Sequence, residues 1–169
     1  WRKAESTPVG GGRGAAHGAP RSSNLSVKKI FTDHERDTFR VMAFEYISAF
    51  FENSLNELEA RNRHLKKHFR SRDANSFEAA VYAEGKVVAR CGIWLSSDRH
   101  FGELNYSDSG LGNGNSYNES LSVADDGQAL GLKALGIGSF AGGRNDKILT
   151  LEGAAEYLWS MFIRPLQER

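Results

Sequence analysis

The sequence predicts an α+β fold: an antiparallel sheet of four to five strands with a long N-terminal helix and a C-terminal helix packed on one face, in the order α-β-β-β-β-β-α. Three observations lead there. Apolar residues recur at helical spacing after Thr32, the period changes to strict alternation at Phe77, and helical spacing returns after Thr150.

Thr32 with Glu35 three residues later matches a capping box, and Asp33, Glu35 and Asp37 place negative charge in the first helical turn. Phe39, Met42, Ala43, Tyr46, Ile47, Phe50 and Phe51 then form a stripe that Leu55, Leu58, Leu65 and Phe69 carry onward. This spacing predicts a helix over 33–70, ~55 Å long at full extension. A bend or break is expected at Asn53 and Ser54 or at Asn62.

Asp73 and Asn75 mark a turn, after which Phe77, Ala79, Val81 and Ala83 fall on one face of a strand. Glu84 and Gly85 supply a tight turn, and Val87, Ala89, Cys91, Ile93 and Leu95 form the matching face of its hairpin partner. A short strand is expected over 102–106, then a Gly- and Ser-rich loop over 107–116. A second hairpin pairs 117–124 with 128–135 around Asp125, Asp126 and Gly127, with Tyr117, Glu119, Leu121 and Val123 on the buried face. Residues 136–147 contain four glycines and read as a loop. Thr150 caps the last helix, Leu151, Ala155, Leu158, Phe162 and Leu166 share one face, and Pro165 is expected to end or kink it.

Residues 1–29 are rich in Gly, Ala and Ser and carry net positive charge, so they read as a flexible basic linker or tail; residues 30–169 read as a single α+β domain. The linker reading carries an upstream domain with it; the tail reading does not. The net charge of +1 does not mark the whole chain as polyanion-seeking, but charge is segregated, with −5 over residues 31–60 and +6 over residues 61–72. The single cysteine, Cys91, precludes an internal disulfide and favours a soluble protein in a reducing, cytoplasmic setting. No apolar run approaches the ~20 residues that span a bilayer.

The strongest charged feature is the segment Arg61, Arg63, Lys66, Lys67, Arg70 and Arg72, which on the predicted helix end is either a solvated terminus or a contact for phosphates. His64 and His68 stand four apart, but no Glu follows His64 to complete a zinc-protease motif, and no metal site is predicted. The 107–116 loop fails the spacing of both a calcium loop and a nucleotide loop. Arg144, in the loop before the last helix, is a candidate anion contact. Cys91 alternates with apolar residues, as a buried inert thiol does, while His100 lies in a polar loop and Glu103 and Glu119 are placed on neighbouring strands.

Tyr82, Arg90 and Trp94 fall on the sheet face opposite Cys91, where they form a candidate binding surface unless a loop or the N-terminal segment covers them. With no catalytic motif and no predicted cofactor, the expected function is a noncatalytic binding or sensing module, C-terminal to another domain, that recognises a protein or small-molecule ligand. One rival is a nucleic-acid-binding domain using residues 61–72. The other is a small hydrolase or transferase with its site on the loops 97–116 and 136–147.

Overall fold

Thr32 Oγ1 accepts the Glu35 amide at 3.2 Å while the Glu35 carboxylate accepts the Thr32 amide at 2.9 Å, closing the capping box that opens helix α1 (Asp33–Arg61). A computed structural model describes residues 18–97, 104–112, 117–136 and 146–168. With 29 residues, α1 is about 43 Å long. It stops at Asn62, whose side-chain amide donates to the Leu58 carbonyl and whose own carbonyl accepts the Leu65 amide, both at 2.9 Å.

The chain then reverses, and residues expected to extend the helix form strand β1 (Leu65–Asp73). Leu65 and Phe69 are four residues apart, a spacing that puts side chains on one face of a helix and of a strand alike. The apolar pattern is therefore satisfied by both periods. What decides is pairing: β1 finds a partner in β2 (Ser76–Ala83), with Phe69 opposite Ala79.

The sheet continues with β3 (Lys86–Leu95), β4 (Leu104–Ser107), β5 (Glu119–Asp125) and β6 (Leu130–Ala134). All six strands are antiparallel and lie in sequential order, one more than the upper expectation because β1 joins them. The β2–β3 hairpin turns on Glu84 and Gly85 at φ 51° and 75°, the left-handed pair that a two-residue turn matching strand twist requires. A register shift at Val81/Tyr82 sets Val87 opposite Tyr82, so Val87 is 40% exposed and Val88 packs against the core in its place.

Thr150 caps α2 (Leu151–Gln167), its Oγ1 accepting the Gly153 amide at 3.0 Å. Pro165 does not end this helix. It lies in the last turn, where its missing amide removes one bond near a free end and the helix runs on to Gln167.

Both helices pack on one face of the sheet, as expected. Ala43, Phe44, Ile47, Phe51 and Leu55 from α1 and Ala154, Ala155, Leu158 and Phe162 from α2 meet Phe77, Cys91, Ile93, Leu104, Leu121 and Leu132. Phe51 joins the layers, its ring 5.6 Å from Phe77, 5.7 Å from Phe162 and 5.3 Å from Trp159. At the far edge Leu132 and Leu149 exchange backbone hydrogen bonds of 2.9 and 2.7 Å. Gly131 makes room for that approach, since a Cβ there would stand 2.3 Å from Ile148 Cγ2.

Candidate binding surface on the outer sheet face

The strand register fixes which side chains share the face turned away from the helices. Lys66 pairs with Tyr82, His68 with Ala80 and on to Arg90, Arg70 with Glu78 and on to Gly92, and Ser76 with Trp94 and on to Asn105. Alternate residues on one strand are about 6.7 Å apart, so these rows form a grid. The basic segment and the Tyr82, Arg90 and Trp94 face, which the sequence presents as two separate surfaces, are thus neighbours. They meet because Lys66, Arg70 and Arg72 lie on β1, an edge strand, while Arg61 remains in the last turn of α1 and Arg63 in the turn after it.

The grid is not open throughout. The loop after β4 folds back over its middle, and a Cβ on Gly92 would lie 2.6 Å from both Gly110 C and Leu111 N. Only glycine admits that contact. The Glu78 carboxylate holds the loop down by accepting the Leu111 amide at 3.1 Å, while its other oxygen accepts from Arg72 Nε and Nη2 at 3.1 and 3.0 Å. Desolvation pushes the Glu78 carboxyl up, but the Leu111 amide, Arg72 and the charge of Arg70 together outweigh it and hold it below its ordinary value.

Two depressions result, one on each side of Leu111. One, about 320 Å³, is lined by His68, Arg72, Tyr82, Arg90, Ser109 and Leu111. The other, about 500 Å³, is lined by Arg72, Asn75, Ser76, Trp94, Leu95 and Leu111. Tyr82 and the Ser76–Trp94 row are six residues apart along β2, about 20 Å, so the two aromatic side chains serve different depressions. Tyr82 and Trp94 are half-buried, and Arg90 is exposed. Arg72 spends its charge on Glu78, whereas Arg90 and Arg70 make no hydrogen bond or ion pair among the described residues.

The remaining candidates are dispersed. Arg61 pairs with Glu57 at 2.7 Å in the last turn of α1, and Arg63 is exposed in the turn that follows. Lys66 Nζ lies 3.6 Å from Glu59, whose carboxylate also accepts the Lys67 amide at 3.1 Å. His64 and His68 do not share a helix, so their spacing carries no metal-binding geometry. Cys91 is fully buried, and desolvation pushes its thiol up, away from the thiolate a nucleophile needs. His100, Glu103 and Arg144 lie outside the described residues, as do much of the 97–116 loop and most of the 136–147 loop. A wider groove of about 760 Å³ runs between the helices, lined by Tyr46, Phe50, Glu57, Arg61, Trp159 and Ile163.

Glu119, which the sequence places on the inward face of its strand, is held by donors the sequence does not reveal. Glu119 is fully buried on the core face of β5, where it accepts the Ser120 and Gly136 amides at 2.9 and 3.1 Å and the hydroxyl of Tyr157 from α2. Its signal was a carboxylate in an inward-facing alternation with Leu121 and Val123, a position that tolerates charge only when donors surround it. It stands opposite Tyr106 on β4.

Fold and surface together define a two-layer α+β domain whose helices cover one face of an antiparallel sheet and leave a cationic, aromatic-bearing face outside them. Within that class the chain belongs to the Y4lF protein domain family, which residues 66–164 match. Over 148 residues, 88% of this chain, it is 45% identical to a Sinorhizobium fredii protein described as uncharacterized protein y4lF. The matched part is 46% of that relative, so the chain spans less than half its length. No solved structure matches the chain.

Proposed function

We propose that this domain is a noncatalytic binding module that takes an anionic small molecule or a protein's acidic group in the depression between His68, Tyr82 and Arg90. The observation that carries the reading is Arg90: an exposed guanidinium that makes no ion pair among the described residues, set beside a half-buried tyrosine and a histidine, with the one carboxylate lining the depression, Glu78, already engaged by Arg72 and the Leu111 amide. The sealed Cys91 thiol supports a noncatalytic role. The greater length of the Sinorhizobium fredii relative supports a module linked to another domain. A cytoplasmic setting rests on the lone cysteine; no helix among the described residues is long and apolar enough to cross a membrane. Amide shifts followed while aromatic phosphates and carboxylates are titrated should move at Tyr82, Arg90 and Leu111. Binding that persists unchanged in Arg90→Ala removes the proposal.

A second reading, single-stranded nucleic acid, is favoured by one observation: Lys66, His68 and Arg70 alternate along β1 beside the aromatic face. Its signature is affinity that falls steeply with salt, with a smaller slope once Lys66, Lys67 and Arg70 are neutralised. Salt-independent binding excludes it.

A further inference from the structure

The two edges of the sheet are finished differently. At β6 the Leu149 segment exchanges hydrogen bonds with Leu132. At the other edge β1 pairs, among the described residues, with β2 alone. The Leu65 amide donates to the Asn62 carbonyl at 2.9 Å and the Lys67 amide to the Glu59 carboxylate at 3.1 Å, and neither acceptor belongs to β2. Odd-numbered residues of β1 as far as Ser71 therefore turn their N–H and C=O groups outward, because both groups of a strand residue point to the same side; a register shift between Ser71 and Asp73 ends that series. Phe69 and Ser71 continue that series, and their outward amides meet no acceptor among the described residues.

We propose that the β1 edge from His68 to Arg72 is a docking strand for an extended acidic segment of a protein partner, added to the sheet by backbone pairing. The outward amides and carbonyls of Phe69 and Ser71 fit the ladder of a peptide. The exposed Lys67, His68 and Arg70 set the charge of the peptide that fits. Basic side chains on an edge strand keep strands of like charge away, so a second copy of β1 is repelled while an acidic strand is attracted. The chain already shows this chemistry in miniature: the Glu59 carboxylate accepts the outward Lys67 amide while Lys66 Nζ stands 3.6 Å from it. This edge borders the depression beside Arg90, which His68 and Arg72 also line, but it binds through the outward backbone groups of Phe69 and Ser71 and not through Arg90.

The test uses the full chain and a peptide of alternating Glu and Val, with a Lys and Val peptide as control. Binding of the acidic peptide should slow hydrogen exchange at the Phe69 and Ser71 amides and leave exchange at Leu132 unchanged. Ser71→Pro removes one outward amide without touching a bond to β2, a change an edge strand accommodates, and should weaken the peptide by about tenfold or more. Arg70→Glu, folded by circular dichroism, should weaken it as well and serves alone if Ser71→Pro does not fold. Unchanged exchange at Phe69 and Ser71 in the wild-type chain overturns the proposal. So does full affinity in folded Ser71→Pro, or a basic chain that captures single-stranded oligonucleotide but not the acidic peptide. Dimerisation through β1, seen by sedimentation and lost in Arg70→Glu, also overturns it.

Discussion

The Glu78 carboxylate on β2 accepts the Leu111 amide at 3.1 Å, so one side chain in the middle of the sheet decides where the loop after β4 rests. Because its remaining oxygen is taken by Arg72, the same carboxylate engages one cation of the outer face, while Arg90 makes no ion pair among the described residues.

Protonating Glu78 should release that loop. Its folded value is depressed, so the stabilisation is fully present above the ordinary value of 4.5 and is lost as pH falls through the lower folded value. Protection of the Leu111 amide, its exchange measured against the intrinsic rate at each pH, should be high at neutral pH and fall below pH 4.5. In Glu78→Gln protection should be low at every pH. High protection in the variant would show that packing on Gly92, not the carboxylate, holds the loop.

Gly92→Ala should evict the loop by a different route. The added Cβ meets backbone at 2.6 Å on two atoms, and neither can move without the loop moving. Overpacking of this kind destabilises by about 1–3 kcal/mol, and the lifted Leu111 should raise the exposure of Trp94, read by its fluorescence maximum and by quenching with iodide.

Glu119 is a fully buried carboxylate held by donors of Ser120, Gly136 and Tyr157. Glu119→Ala strands the Ser120 and Gly136 amides and the Tyr157 hydroxyl without their acceptor, and should destabilise by about 3 kcal/mol in a denaturant melt. Tyr157→Phe removes one donor and should lose about 1 kcal/mol. Equal losses would mean that the Tyr157 bond alone carries the effect.

Thr32→Ala opens the capping box and should lower stability by about 1 kcal/mol while leaving binding at Arg90 intact, since the cap and the outer face lie on opposite layers. A parallel loss of ligand affinity would indicate that the two layers are coupled.

Much of the fold was legible because its signals are local. The box at Thr32 and Glu35, the Glu84–Gly85 turn, the Gly127 turn and the Thr150 cap each depend on a few consecutive residues, and each formed where expected. Alternation also assigned Phe77, Ala79, Val81, Cys91 and Ile93 to the core, and Tyr82, Arg90 and Trp94 to the opposite face. Val87 escaped because a bulge inserts one residue, and a pattern of period two has no means of announcing its own slip.

What the sequence by itself determined, then, was the α+β class, the capped starts of both helices, the hairpin turns and the inward or outward sense of most strand positions, because caps, turns and periodicity are short-range physics. Only the tertiary structure decided that residues 65–73 are a strand, since Leu65 and Phe69 suit either period and the choice fell to pairing with β2. That one choice moved Lys66, His68 and Arg70 from a helix end to a sheet edge beside Tyr82. Likewise, the loop seated on Gly92 divided one expected surface into two depressions, a contact between residues about twenty apart in sequence that no local pattern encodes.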